Sequence, residues 1–488
     1  MHPIRGIPLS LVTLRFGGVS AVSVEFRPMA QLGTLRVAII GSGPAAFYAA
    51  EHLFKQSDLA IEIDMFDRLP TPFGLVRGGV APDHMKIKGV TAIYDKIAAN
   101  PRFRFFGNVE FGTDITLEDI RQHYHQVLFA NGAQSDRRMG IPGEDLGNSF
   151  AATQFVAWYN GHPDFRDLKF DLSQESVAVI GVGNVAIDVA RILCRTPEEL
   201  KQSDIAPHAL EALSASKVRT VYLLGRRGAA QAAFTNPEVK ELGEMAEAEP
   251  VVRPEEVAID DLSRAVVAAD RTLEKKVAIL QSYADRASEG KPRQLRLRFL
   301  VSPVEIVGDV NGNVCAMKLV KNVLVAGENG EVKARATDQF EMIDVGMVFR
   351  SVGYRGLPLP GVPFNEKAGT ILNEKGRVLD AASKTVLAGL YTSGWIKRGP
   401  SGVIGTNKPD SVETATAMAD DARADVVLQP TAATADAALA LVAARQPRFV
   451  SYEDWKKLDA LELANGAAAG RPRVKFTRVD EMLAALGK

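Results

Sequence analysis

The sequence predicts an α/β protein built around two parallel sheets, and two glycine-rich turns of the same plan predict it. One strand, Arg36–Ile40, runs into Gly41-Ser-Gly43-Pro-Ala-Ala46 and a helical stretch reaching about Lys55. A second, Ser176–Ile180, runs into Gly181-Val-Gly183-Asn-Val-Ala186 and a helix reaching about Cys194. Strand, glycine turn and helix in that order form the fingerprint of a Rossmann-like dinucleotide-binding unit.

In the first unit Gly41 makes the tight turn and Gly43 lets the backbone approach a pyrophosphate. Small Ala46 allows the helix to pack closely on the strand, and Pro44 and Ala45 complete the cofactor-binding loop. The pyrophosphate is expected at the helix N-terminus, where the aligned peptide dipoles favour negative charge. The next strand, Ile61–Phe66, ends at Asp67, 24 residues after Gly43, where an acid bonds ribose hydroxyls.

Residues 70–84 follow. Three prolines and three glycines there argue for a loop, yet Phe73, Leu75, Val76 and Val80 make it apolar. Such a loop either packs down or covers a ligand. Ile87, Val90, Ile93 and Ile97 predict one face of a helix, and Phe103–Phe106 and Gln126–Ala130 read as strands.

The second unit differs at its second strand. Arg219–Leu224 ends in Gly225-Arg226-Arg227 instead of an acid. Two guanidiniums there can grip a 2′-phosphate that an acid would repel, which points to NADP over NAD; the alternative is a solvated arginine pair. Apolar steps of three and four from Leu262 to Ala284 predict one long amphipathic helix between Asp261 and Gly290. Residues 295–300 read as a half-buried strand with one basic edge, and 429–445 as an alanine-rich helix. A strand entering the glycine-rich stretch 390–407 reads as a loop where backbone meets a ligand.

Composition narrows the function. In 488 residues, 58 Lys+Arg against 59 Asp+Glu argue against a wholly basic nucleic-acid binder. Cys194 and Cys315 cannot supply a CxxC redox pair or an iron–sulfur ligand set, and their scarcity fits a reducing, cytoplasmic setting. His123 and His125, with no cysteine near, argue against a metal site. No run of about 18 apolar residues predicts a transmembrane helix. Residues 1–28 read as a disordered extension, or as upstream of a true start at Met29. An acid-poor transit peptide to an organelle matrix is the minority alternative.

Two dinucleotide sites in one chain imply that one nucleotide delivers hydride and the other receives it. The first, with its acid, is assigned FAD; the second, with its arginines, NADP. The chain resembles the ferredoxin–NADP reductases of the adrenodoxin-reductase type from about Leu35 to about Thr414. Five segments carry the resemblance: Pro72-Phe-Gly-Leu-Val-Arg77, Val80-Ala-Pro-Asp-His84, Gly181 to Arg191, Gly225-Arg-Arg-Gly228 and Gly394-Trp-Ile-Lys-Arg-Gly-Pro-Ser-Gly-Val-Ile404.

The resemblance implies an NADP domain, 135–358, inserted into an FAD domain formed by 29–134 and 359–488. It implies that Trp395 and the Gly402 amide lie near the flavin and nicotinamide, with Leu75, Val403 and Ile404 among the cofactor-binding positions. Asn184, Val185, Arg226 and Arg227 surround NADP, and His84 and Glu241 lie close to the reacting rings. His84, which alone reads as a loop end facing water, then serves to orient nicotinamide, since hydride transfer to flavin needs no strong base.

The expected activity is electron transfer from NADPH through FAD to ferredoxin, by a monomer. Ferredoxins are typically acidic, so Lys291, Arg293, Arg296 and Arg298 are candidates for a basic docking face. Two rivals remain. One is a non-turnover NADP(H)-binding redox sensor. The other is the NADPH dehydrogenase component of a glutamate-synthase-like system, which carries a cysteine-rich cluster module that two cysteines cannot build.

Overall fold

Two parallel sheets organise the computed structural model, which describes residues 33–328 and 330–488. The readings of residues 1–28 and of Met29 lie outside the described residues. The first sheet has seven strands in the order 373–374, 377–379, 386–392, 126–129, 35–40, 61–66, 103–106. Its last five pair in parallel. The second has six strands, 149–151, 347–350, 176–180, 220–224, 293–298 and 248–252, all parallel. Every strand of the second lies between two strands of the first in sequence, so one unit is inserted into the other.

Both sheets are buried on two faces, which is why their central strands read as continuous apolar runs. Leu35–Ile40 is buried at all six positions. The fingerprint helices are Pro44–Phe54 and Asn184–Cys194, close to the expected limits. The two chain crossings between the units pair antiparallel, Ser135 with Arg355 and Asp136 with Tyr354. A three-stranded antiparallel meander, Val301–Gly308, Val314–Ala326 and Val332–Asp344, precedes the last strand of the inserted unit.

The C-terminal segment reaches both units. Lys475 contacts Asp204 at 3.1 Å, and Lys88 contacts the same carboxylate at 2.6 Å. Arg77 meets Glu462 in two hydrogen bonds and lies over the Trp455 ring, 5.2 Å from its centroid. Pro72–Arg77 is thereby braced from behind. Among the described residues no helix is long and apolar enough to cross a membrane.

Several expectations need correction. The long helix is two helices, Asp261–Ala269 and Arg271–Ala284. Asp270 breaks it by accepting hydrogen bonds from the Thr272 and Leu273 amides, as a helix N-cap does. Leu262 and Val266 are exposed in consequence, while Val267, Val277 and Leu280 are buried. The helix after His84 is likewise two pieces, Met85–Lys88 and Thr91–Ala98; Tyr94 and Ile97 face inward, and Ile87 and Ile93 outward. The loop 70–84 holds one helical turn, Leu75–Gly78. The alanine-rich helix starts at Ala435, capped by Thr434.

The proposed basic face does not form. Strand 293–298 lies between two parallel neighbours, and Arg298 is buried, clamped by Glu256 and Glu341 at 2.8 Å each. Lys291 pairs with Glu289 and Arg293 with Glu247, and Arg296 bonds Gln294. Acids distant in sequence pair with Arg293 and Arg298, and near neighbours hold Lys291 and Arg296.

Candidate active site

The first glycine turn is shaped for close approach. Gly41 has φ +100°, and a Cβ there would stand 2.6 Å from the Ala130 carbonyl oxygen. Gly43 caps the helix Pro44–Phe54 with no side chain on its first-turn amides, and a Cβ on Gly43 would meet nothing within 4 Å. Open space before bare helix amides is what a pyrophosphate needs. Two further loops close on the turn. Gly74, next to Leu75, approaches Gly43, and a Cβ on Gly394 would stand 2.7 Å from that of Ala45. Ala46 is fully buried.

Asp67 stands at the end of its strand as expected, and its carboxylate is tied back to the turn. Oδ2 accepts from the Ser42 amide at 3.1 Å and from the Ser42 hydroxyl; Oδ1 accepts from the Leu69 amide at 3.0 Å. Burial pushes its carboxyl up, against those hydrogen bonds. Asn131, beside Gly41, carries a buried Oδ1 with no hydrogen-bond partner among the described residues. Such an orphaned acceptor costs free energy unless a donor meets it, and a dinucleotide bound at this turn offers donors. The turn therefore fits FAD.

The late loop lies against the same turn. Asp410 gathers it, accepting from the Gly394 amide at 2.6 Å and pairing with Lys397 at 3.2 Å. Trp395 donates its indole N–H to the Ser401 carbonyl at 3.2 Å, and its ring lies 5.2 Å from that of Tyr354 on the crossing from the inserted unit. Gly402 and Val403 are exposed and Ile404 half-buried beyond it.

In the second unit Gly181 has φ +129°, and Gly183 caps its helix without a side chain. Asn184 Oδ1 accepts from the Thr235 amide at 2.9 Å, and Val185 packs on the core. Arg226 is exposed and Arg227 half-exposed at the end of strand Thr220–Leu224, and among the described residues neither guanidinium has an ion-pair partner. Two free cations at that strand end match a 2′-phosphate.

Between the two turns the units meet in a cluster of charges. His84 Nε2 lies 2.9 Å from Glu241 Oε2, joining residues 157 apart in sequence. Asp188 stands 3.9 Å from Nδ1 of the same ring and Glu238 3.8 Å from Nε2. Arg191, wholly buried, binds Asp83 and Asp188 at 2.8 Å and Glu238 at 3.3 Å, and Arg195 binds Asp83 at 3.1 Å.

Four acids thus face two arginines and one histidine, and the environment sorts their protons. Burial disfavours the charged ring of His84, but the Glu241 hydrogen bond and the nearby carboxylates raise its pKa. Burial and the Asp188 charge push Glu238 up to about 7. Glu241 and Asp83, though burial opposes it, are held low by His84 and Arg191 respectively. The raised His84 and Glu238 beside the lowered Glu241 and Asp83 make these groups titrate as one linked set. His84, Glu238 and Glu241 place ligand atoms within 4.8 Å of one another, but Arg191 stands 3.3 and 3.6 Å from the two carboxylates and already supplies the cation.

The structure thus brings His84 and Glu241 into direct contact and sets Trp395 against Tyr354. Sequence reasoning missed Asp83, Asn131, Asp188, Arg191 and Glu238. The available signal was Asp188 and Arg191, a pair three apart on a helix that otherwise packs against a sheet, where a charge needs a partner.

The chain and its fold are similar to those of known proteins. Residues 35–220 match the model of the pyridine nucleotide-disulphide oxidoreductase family. An NADPH-ferredoxin reductase FprA of Mycobacterium tuberculosis is 44% identical over 92% of this chain and 98% of its own length. A mitochondrial NADPH:adrenodoxin oxidoreductase of Arabidopsis thaliana is 39% identical over 92% of this chain and 95% of its own. The structure of M. tuberculosis FprA in complex with NADPH superposes with a TM-score of 0.87, at 43% identity, over 93% of this chain and all of that one.

Proposed function

The chain belongs to the ferredoxin–NADP reductases of the adrenodoxin-reductase type, and we propose that it is an FAD-dependent NADPH–ferredoxin oxidoreductase. The carrying observation is the pair of glycine turns, one ending in an acid and one in free arginines, with the His84–Glu241 contact between them. FAD is the needed intermediary, because it accepts a hydride from a nicotinamide and releases the two electrons singly to an iron–sulfur protein.

The chain's own residues bind, orient and shield. Gly41, Gly43, Pro44, Ala45, Ala46, Asp67 and Leu75 hold FAD, and the turn offers bare amides to its pyrophosphate. Gly181, Gly183, Asn184 and Val185 hold the NADP pyrophosphate, and Arg226 and Arg227 take the 2′-phosphate. His84 and Glu241 orient the nicotinamide end, their contact fixing the imidazole ring. Trp395, Gly402, Val403 and Ile404 form the facing wall; the short helix that Trp395 opens is pinned by Asp410. Each NADPH gives two electrons and leaves as NADP⁺, so two one-electron acceptors are reduced and one proton is released.

The FAD domain is 29–134 with 359–488, and the NADP domain 135–358. A monomer in the cytoplasm completes the reading; buried Cys194 and exposed Cys315, both free thiols, suit a reducing compartment.

The test is anaerobic. NADPH should bleach the bound flavin, and cytochrome c should then be reduced rapidly only when a ferredoxin is supplied. Bleaching without ferredoxin-dependent turnover would favour a redox sensor.

A further inference from the structure

The turn that carries Arg226 and Arg227 is held by a part of the molecule with no other role so far, the antiparallel meander. Three successive carbonyl oxygens of the turn are tied inward. Gly225 O accepts from the Val301 amide at 3.1 Å, and Arg227 O from the Leu300 amide at 3.1 Å. Between them Arg226 O accepts from Asn322 Nδ2 at 2.8 Å. The first two donors belong to the chain that follows the neighbouring strand. The third is a side chain reaching in from the long strand Val314–Ala326.

Asn322 is itself fixed from several sides. It is 2% exposed. Its amide nitrogen donates to Leu300 O at 2.6 Å, and Nδ2 donates also to Ser302 Oγ at 2.8 Å. It sits where the pairing with strand Val332–Asp344 shifts register after Val320. Such a bulge re-aims a side chain. Its partner Leu300 has φ +57°, a left-handed conformation that a leucine adopts only when its surroundings impose it. A bulge, a left-handed leucine and a buried amide therefore converge on one turn, whose two arginines have no ion-pair partner among the described residues.

We propose that Asn322 is a positioning residue for coenzyme choice. By fixing the Arg226 carbonyl it holds the backbone from which both guanidiniums reach a nucleotide 2′-phosphate. Without it the turn samples other orientations, and 2′-phosphate binding bears the ordering cost. The inference rests on the reading of Arg226 and Arg227 as the 2′-phosphate site.

The experiment uses the flavin-loaded full chain with Asn322→Ala, and Asn322→Leu, which nearly keeps the side-chain volume should the smaller residue impair folding. Calorimetry with adenosine 2′,5′-bisphosphate and with 5′-AMP separates the phosphate from the rest of the nucleotide. The bisphosphate should bind about five- to tenfold more weakly, the size of one lost hydrogen bond, and 5′-AMP should be nearly unchanged. In turnover KM for NADPH should rise with kcat unchanged. Equal weakening of both ligands, or a wild-type ratio in both variants, would overturn the proposal. Arg226→Ala with Arg227→Ala in the same assay separates the two claims. If that protein still prefers the bisphosphate, the reading of the arginines falls. If it loses the preference while the Asn322 variants keep it, the role of Asn322 falls alone.

Discussion

The two glycine turns are the same device with opposite endings. Both put a helix N-terminus behind a glycine and leave its first amides without a side-chain cap. In the first, the strand-end residue Asp67 bonds back to Ser42 within the turn. In the second, the strand-end arginines bond to nothing charged among the described residues, and their backbone is held by the meander. The shared part recognises what all dinucleotides carry, a pyrophosphate; the unshared part selects among them. An acid that closes the turn on itself suits a cofactor held throughout turnover. Free cations suit a coenzyme that arrives, gives up hydride and leaves.

Breaking the shared part should have the largest effect. Gly41→Val puts a β-branched residue at φ +100° and a methine carbon 2.6 Å from the Ala130 oxygen. The expected product carries no flavin, read as visible absorbance per mole of protein. Full flavin content would show that the approach at Gly41 is not needed.

Next is the unshared part. Each charge-assisted contact to a 2′-phosphate is worth about 1.5–3 kcal/mol, so losing Arg226 and Arg227 together should lower NADPH kcat/KM by roughly two to four powers of ten. NADH kcat/KM should change little. The loss should sit mostly in KM, because the phosphate is remote from the hydride. Equal losses for both coenzymes would mean that the arginines hold structure.

A smaller effect is expected between the turns. Glu241→Gln removes the anion that holds the His84 ring, and flavin reduction by NADPH should slow about tenfold with flavin content unchanged, as when a positioned polar contact is lost. Stopped-flow absorbance reads this directly, and an unaltered rate would remove Glu241 from the orienting role.

The smallest effect is a pH dependence of stability. Glu238 titrates in the folded protein at about 7 against an ordinary 4.5, so the native state holds a proton that the unfolded chain has released. Stability from this group therefore falls as pH rises from about 4.5 to about 7 and is level above. Glu238→Gln should flatten that window in denaturant titrations; an unchanged slope would place the proton elsewhere in the cluster.

The sequence discloses these parts unequally. The turns are legible because glycine, helix and strand end follow one another directly, over 26 residues from Gly41 to Asp67 and 46 from Gly181 to Arg227, where local sterics decide. The cluster is not, because Asp83 and Arg191 lie 108 residues apart and His84 and Glu241 157 apart. The resemblance to a family supplied His84 and Glu241; nothing local pointed to Glu238. The same distance explains the failed basic face, where Glu256 and Glu341 cancel Arg298 from 42 and 43 residues away. The split helix was readable, since an aspartate two and three residues ahead of Thr272 and Leu273 is a cap signal. The apolar period runs unbroken through Asp270 and so masks the cap.

The central claim is that a nucleotide in the second turn reduces a flavin held in the first, and that its 2′-phosphate selects it. Anaerobic titration of the flavoprotein with NADPH and, separately, with NADH tests it most directly. One equivalent of NADPH should bleach the flavin absorbance, while NADH should need a large excess and react far more slowly. A flavin that NADPH leaves oxidised, or that both coenzymes bleach equally well, would contradict the account.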